Sequence, residues 1–163
     1  FAGSRTKEVE GLALRWADSL RKQMADDELN REDPLASERN IMYFDELNSL
    51  WAVIDTEKAR EEILKNLAKT AHTRTLMNGL LYLGKAKYEK AYGFCLALIK
   101  NKDTEMPVSL EAAKALVQIV PPNKKNEVRD ALKGLLPQCG REDAVVLQAV
   151  LADLAGKQAP DKK

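Results

Sequence analysis

One histidine and two cysteines in 163 residues leave little from which to build a catalytic or metal centre. Any Ser-His or Cys-His pair would have to run through His72, which falls on an expected turn between helices and reads as a solvated side chain. Cys95 and Cys139 form no CxxC pair, and with a lone histidine they give no zinc spacing. Both sit in or beside apolar helical sequence, where a thiol behaves as a small buried hydrophobe. The carboxylate neighbours Asp45-Glu46 and Glu61-Glu62 are successive residues that point to different sides of a helix, which argues against a local acid-base pair. Gly79 and Gly84 lack the strand-loop-helix context and the Lys-Ser/Thr of a phosphate loop. No catalytic residue, cofactor or metal is expected, and the chain reads as a non-enzyme.

Long apolar runs are missing too: none approaches the roughly 18 residues of a membrane span, so the region is expected to be soluble. No segment alternates with period two for the length of a strand. Charge of one sign is not in excess, with 26 Lys and Arg against 25 Asp and Glu. The net charge of +1 implies no overall attraction to nucleic acid or anionic lipid, and any such attraction must be local. The chain opens on Phe1-Ala2-Gly3-Ser4 without Met and reads as a processed product or an excised piece. A preceding signal or anchor would then leave the compartment open, with a cytoplasmic setting favoured over an anchored or exported one.

What is present is apolar helical sequence in quantity, with 45% hydrophobic and 31% charged residues, the balance of a folded globular protein. A short pattern closes three helical segments: Leu80-Leu81-Tyr82-Leu83, Leu116-Val117-Gln118-Ile119 and Leu151-Ala152-Asp153-Leu154. The spacing is about 35 residues, within the range of stacked two-helix repeats, whose units bury their apolar faces only against neighbours. The chain divides into an amphipathic helix and acidic linker over 1–36, a helical-repeat domain over 37–156 and a polar tail over 157–163.

The first helix, Thr6 to Ala25, places Val9, Leu12, Ala13, Trp16, Ala17, Leu20 and Met24 on one face expected to be core. The acidic stretch Asp26 to Pro34 reads as a linker. Ser37 is placed to cap the next helix, whose core face is Ile41, Phe44, Leu47, Leu50, Trp51 and Ile54. Asp55-Thr56 supplies a turn and the next cap, so the helix from Glu57 to Thr70 folds back as an antiparallel hairpin. A second hairpin pairs the Leu76–Leu83 helix, which Gly84 is placed to end in the left-handed conformation, with Tyr88–Ile99. A third runs from Pro107 to Leu136 around Pro121-Pro122. The last helix, Glu142 to Ala155, lacks a hairpin partner and crowds Val145, Val146, Leu147, Val150, Leu151 and Leu154 onto more than one side. Self-association into a homo-oligomer is the favoured cover for that excess.

Lys102-Asp103-Thr104-Glu105-Met106-Pro107-Val108-Ser109-Leu110-Glu111-Ala112-Ala113-Lys114-Ala115-Leu116 resembles the start of a HEAT-type repeat. Glu127 to Leu132 and Glu142 to Leu151 resemble it more loosely, and Ser109 stands where many HEAT units carry Arg. Tyr88 to Tyr92 resembles a tetratricopeptide second helix, but the turn from Gly84 to Tyr88 is too short for that family. The resemblance to HEAT and armadillo repeats implies an all-α fold, a right-handed α-α superhelix of about three to four hairpins. It also implies a protein-interaction scaffold with no catalytic residues.

Basic residues outnumber acidic ones in the second helix of every hairpin, whereas the first helices sum to a slight acidic excess. Second helices line the concave side of HEAT-like stacks, which would gather Lys65, Lys69, Lys87, Lys90, Lys125, Arg129 and Lys133 as a binding surface. Its expected ligand is a protein partner with an acidic segment. The alternative is a nucleic-acid-binding or DNA-repair module that meets phosphates through the same cations.

Overall fold

The computed structural model describes the backbone of residues 7–29 and 35–156. Linker residues 30–34, including Pro34, and the tail 157–163 lie outside these, as do the side chains of Val9 and Ser37. The described chain is all-α, with eight α-helices and no strand among its residues. It forms two compact units, Phe1–Thr75 and Leu76–Lys163.

In the first unit, α1 (Lys7–Leu29) packs along α2 (Ala36–Ile54), and α2 packs on α3 (Glu57–Leu67). α1 runs a turn beyond the expected end at Ala25, because Asp26, Asp27 and Glu28 carry charge but no backbone obstacle to a helix. Its buried stripe is Ala13, Ala17, Leu20 and Met24. Trp16 and Leu12, expected in the core, are instead 52% and 55% exposed. The reason is geometric. At about 100° per residue the buried stripe spans only some 60° of helix, enough to meet one neighbour, and Trp16 and Leu12 fall off its edge.

Leu47, Trp51 and Ile54 of α2 meet Ala59, Ile63 and Leu67 of α3 in the core, while Asn48 and Asn66 are buried with them. α2 begins at Ala36 with Leu35 in the cap position, so Ser37 lies within the first turn and is not the cap. The Asp55-Thr56 turn forms as its sequence predicts. Asp55 takes a left-handed φ of 51° and returns its N–H to the Trp51 carbonyl at 2.9 Å. Thr56 Oγ1 accepts from the Ala59 N–H at 3.2 Å, satisfying one free amide of α3.

Helix α4 (Thr73–Lys85) begins at the end of the first unit and continues into the second. The second unit then carries α5 (Tyr92–Lys100), α6 (Met106–Ile119), α7 (Lys125–Leu135) and α8 (Arg141–Gly156). α6 is its centre: Val108, Leu110, Ala112, Ala113, Ala115, Leu116, Val117 and Ile119 are all buried, so α6 is apolar nearly all round and takes neighbours on several sides. Its tightest partner is α5, across the polar connection before Met106, rather than α7 around Pro121-Pro122. α8 also packs on α6, and α5 on α7. α6 and α8 thus lie side by side, as do α5 and α7, and α4 meets α6 where Gly84 faces Ala115.

The recurring pattern falls near the ends of α4, α6 and α8. Leu80 and Leu83, Leu116 and Ile119, and Leu154 are buried. α8, expected to lack a partner in the chain, has two: it rests on α6 and α7 through Leu147, Val150 and Leu154, which share one face at i, i+3 and i+7. The excess on its other side is Val145 and Val146, both exposed.

Gly84 does not end α4. No glycine among the described residues has positive φ, and the left-handed residue that stops this helix is Lys87, with φ of 50°. The Tyr88 N–H reaches the Leu83 carbonyl at 3.0 Å and the Lys87 N–H reaches the Gly84 carbonyl at 2.9 Å, the double closure of a Schellman end. A non-glycine residue there carries a steric cost of roughly 1–2 kcal/mol. Lys87→Gly is therefore expected to raise stability by about 0.5–1 kcal/mol after the entropy of the unfolded glycine is subtracted. A urea midpoint that rises with an unchanged m-value is the expected result.

Candidate partner-binding surfaces

Of the seven cations selected from sequence, Lys65 and Lys69 lie in the first unit and the other five in the second. Lys65 is exposed on α3 and donates to Glu62 at 3.0 Å. Lys69 follows α3 and borders a cleft between α1, α2 and α3. Lys87 and Lys90 are exposed, but they stand on the turn after α4 and in the 3-10 turn Glu89–Ala91 rather than on α5 itself. Lys125, Arg129 and Lys133 follow one another at i, i+4 and i+8 along α7 and so share a side of that helix. Arg129 donates to Asn126 Oδ1 at 3.2 Å.

α5 and α7 are joined by a polar cluster that the sequence does not advertise. Glu127 of α7 accepts from Tyr92 OH at 2.9 Å and lies 3.4 Å from Lys100 Nζ and 3.5 Å from Lys124 Nζ. The Tyr92 phenol is pushed up to about 12, first by burial and then by the hydrogen bond to Glu127 and its charge. The Glu127 carboxyl is held below its ordinary value, first by that hydrogen bond and then by Lys100 and Lys124. The signs differ. Tyr92 contributes stability in full below its ordinary pKa of about 10 and loses it as pH rises through about 12. Glu127 contributes above the ordinary carboxylate range and loses its contribution as pH falls through its lowered value. Glu127→Gln is expected to return the Tyr92 phenol part of the way toward 10, since burial remains. Ultraviolet titration of tyrosinate, with Tyr92→Phe to assign the signal, reads the shift.

His72 is not a free turn side chain. Its Nδ1 lies 3.0 Å from Thr75 Oγ1, which donates to Asp45 Oδ1 at 2.6 Å, while Arg74 reaches Asp45 Oδ2 at 3.0 Å. The Thr75 proton is directed at the carboxylate, so His72 Nδ1–H is the donor in its own bond. Thr75 is fully buried, and the arrangement fastens the first turn of α4 to α2 without offering a nucleophile to solvent. Both thiols are free: Cys95 is buried and pushed up to about 12 by desolvation, and Cys139 is raised, chiefly by burial. Among the described residues no three His, Cys, Asp or Glu side chains gather to hold a metal ion. None of the described helices is long and apolar enough to cross a membrane.

The second unit also has a groove of about 400 Å³ between α4 and α6. At its edge Gly84 lets α4 and α6 approach closely: a Cβ there would stand 2.9 Å from Ala115 Cα. Leu81, itself 44% exposed, and Ala115 give the groove apolar surface, and Lys85, Lys114 and Gln118 border it. Glu111 is nearly buried there and accepts from Lys114 at 3.0 Å, so its charge is answered within the groove. Lys85 is left with no acidic partner among the described residues. The one signal for this groove in the sequence is a glycine inside an apolar helix, which costs stability unless packing needs it; near a helix end it reads equally well as a cap. Comparison with known protein families, with curated proteins and with solved structures finds no match.

Proposed function

We propose that the chain is a non-enzymatic helical-repeat scaffold of the HEAT or armadillo kind, a right-handed α-α superhelix that holds another protein. The groove between α4 and α6 carries this reading. An exposed Leu81 beside a glycine-alanine contact offers a shallow apolar seat for one side chain of a partner helix, a common mode of helix-in-groove recognition. Lys85, unanswered at the rim, suits an acidic neighbour of that side chain. The packing of α6 on α8 and of α5 on α7, with the recurring leucine pattern near the ends of α4, α6 and α8, supports the repeat reading.

A second reading, a nucleic-acid-binding or DNA-repair module on the same scaffold, draws on the row Lys125, Arg129 and Lys133 along α7. Salt separates the two. A protein scaffold is expected to show no retention on duplex DNA at low salt. Retention that falls steeply with salt, by about 0.9 in the logarithmic slope per phosphate contact, and that is lost when Lys125, Arg129 and Lys133 become Glu, would install the second reading in its place.

A further inference from the structure

We propose that the first unit holds a small amphiphilic carboxylate, an acid group on an aliphatic stem, in the cleft between α1, α2 and α3. The cleft measures about 250 Å³. At about 30 Å³ per water-sized volume this admits about eight non-hydrogen atoms, a carboxylate on a stem of roughly five carbons, and a longer stem continues out of the mouth. Its chemistry is divided in the way such a ligand requires. Met24, Phe44 and Leu47 supply an apolar wall, while Arg21, Asn66 and Lys69 supply the polar side, and no carboxylate among the described residues lines it.

Two of those polar groups are fixed in place. Arg21 pairs with Glu62 and with Asp18, at 3.3 Å from the latter, and its guanidinium lies 5.7 Å from the centre of the Trp51 ring. Asn66 is buried and donates to Asn48 Oδ1 at 3.1 Å. Lys69 is different: it is exposed and has no acidic partner among the described residues, so one positive charge at the mouth is unanswered. Two donors in the core behind Asn66 and Arg21 also lack partners among the described residues, although neither Asn48 nor Trp51 lines the cleft. Asn48 Nδ2, on the amide that binds Asn66, and Trp51 Nε1, on the ring beneath Arg21, are both buried without a partner among the described residues. A cleft with an unanswered cation at its mouth and an apolar wall favours a ligand that brings negative charge at one end and carbon at the other.

Octanoate is the probe, titrated into the whole chain and followed by the indole N–H signals in proton-nitrogen NMR. The chain has two tryptophans, and Trp16→Phe assigns the Trp51 signal. Octanoate is expected to move the Trp51 signal saturably within about 10 mM, a range suited to a weak small ligand, while acetate and octanol at equal concentration do not. Lys69→Glu is expected to weaken binding by about tenfold or more, the size of one charge-assisted contact, and Lys69→Arg to keep it within about threefold. Lys69 is exposed, so unchanged dispersion of the remaining signals in Lys69→Glu shows that the fold is intact. No saturable shift, an equal response to octanol, or Lys69→Glu binding as tightly as the parent chain would each overturn the proposal.

Discussion

Leu132→Ala is expected to lower the unfolding free energy by about 2–5 kcal/mol, the cost of lost burial plus the cavity left behind. Leu132 is fully buried on α7, with Val128 and Leu135 on the same stripe, and α7 rests on both α5 and α8. A side chain held between two helices leaves a hole that neither can fill alone, because moving toward it pulls that helix from α6, on which α5 and α8 also pack. The neighbouring exposed residue is the control. Lys133→Ala should stay within about 0.5 kcal/mol of the parent chain. Thermal melts of both variants check the pair, and an unchanged midpoint for Leu132→Ala would mean that α7 is wrongly placed.

Gly84→Ala is expected to destabilise by about 1–3 kcal/mol, although alanine is the better helix former by about 1 kcal/mol. The added Cβ would meet Ala115 at 2.9 Å from its Cα and 3.1 Å from its Cβ. Backbone cannot turn aside as the end of a flexible side chain can, so α4 and α6 must separate. Ala115→Gly in the same chain should restore only part of the loss, since it removes the second contact and leaves the first. Gly134 in α7 gives the contrast. It is exposed, a Cβ there would meet nothing within 4 Å, and Gly134→Ala should stabilise by up to about 1 kcal/mol. Denaturant unfolding of the three variants separates packing from propensity, because propensity alone predicts the same sign at both glycines.

These two glycines also mark where the sequence could be read and where it could not. Local chemistry was legible: Thr56 caps α3 because a hydroxyl beside a free amide needs no distant partner, and the leucine pattern at the ends of α4, α6 and α8 falls where its period places it. What depended on neighbours was not. Gly84 reads as a cap until α6 is found against it. Trp16 reads as core until α2 proves to cover only a narrow arc of α1. The last helix reads as unpartnered until α6 proves to be apolar on several sides and takes α8 as well as α5. The candidate groove, the Asp45–Thr75–His72 connection and the Tyr92–Glu127 cluster share this origin, since each joins residues about thirty positions apart, beyond the reach of helical periodicity.

The reading of the chain as a protein-binding scaffold is tested most directly by capture from native lysate on immobilised parent chain and on Leu81→Glu, after nuclease treatment, with the bound proteins quantified by mass spectrometry. Leu81 is exposed, so the substitution places a charge in the groove without opening the core. The expected result is a protein retained about tenfold or more better by the parent chain than by Leu81→Glu, the loss that a charge buried at a helix-in-groove contact brings. Equal retention by the two chains, or retention that vanishes with nuclease, would contradict the account.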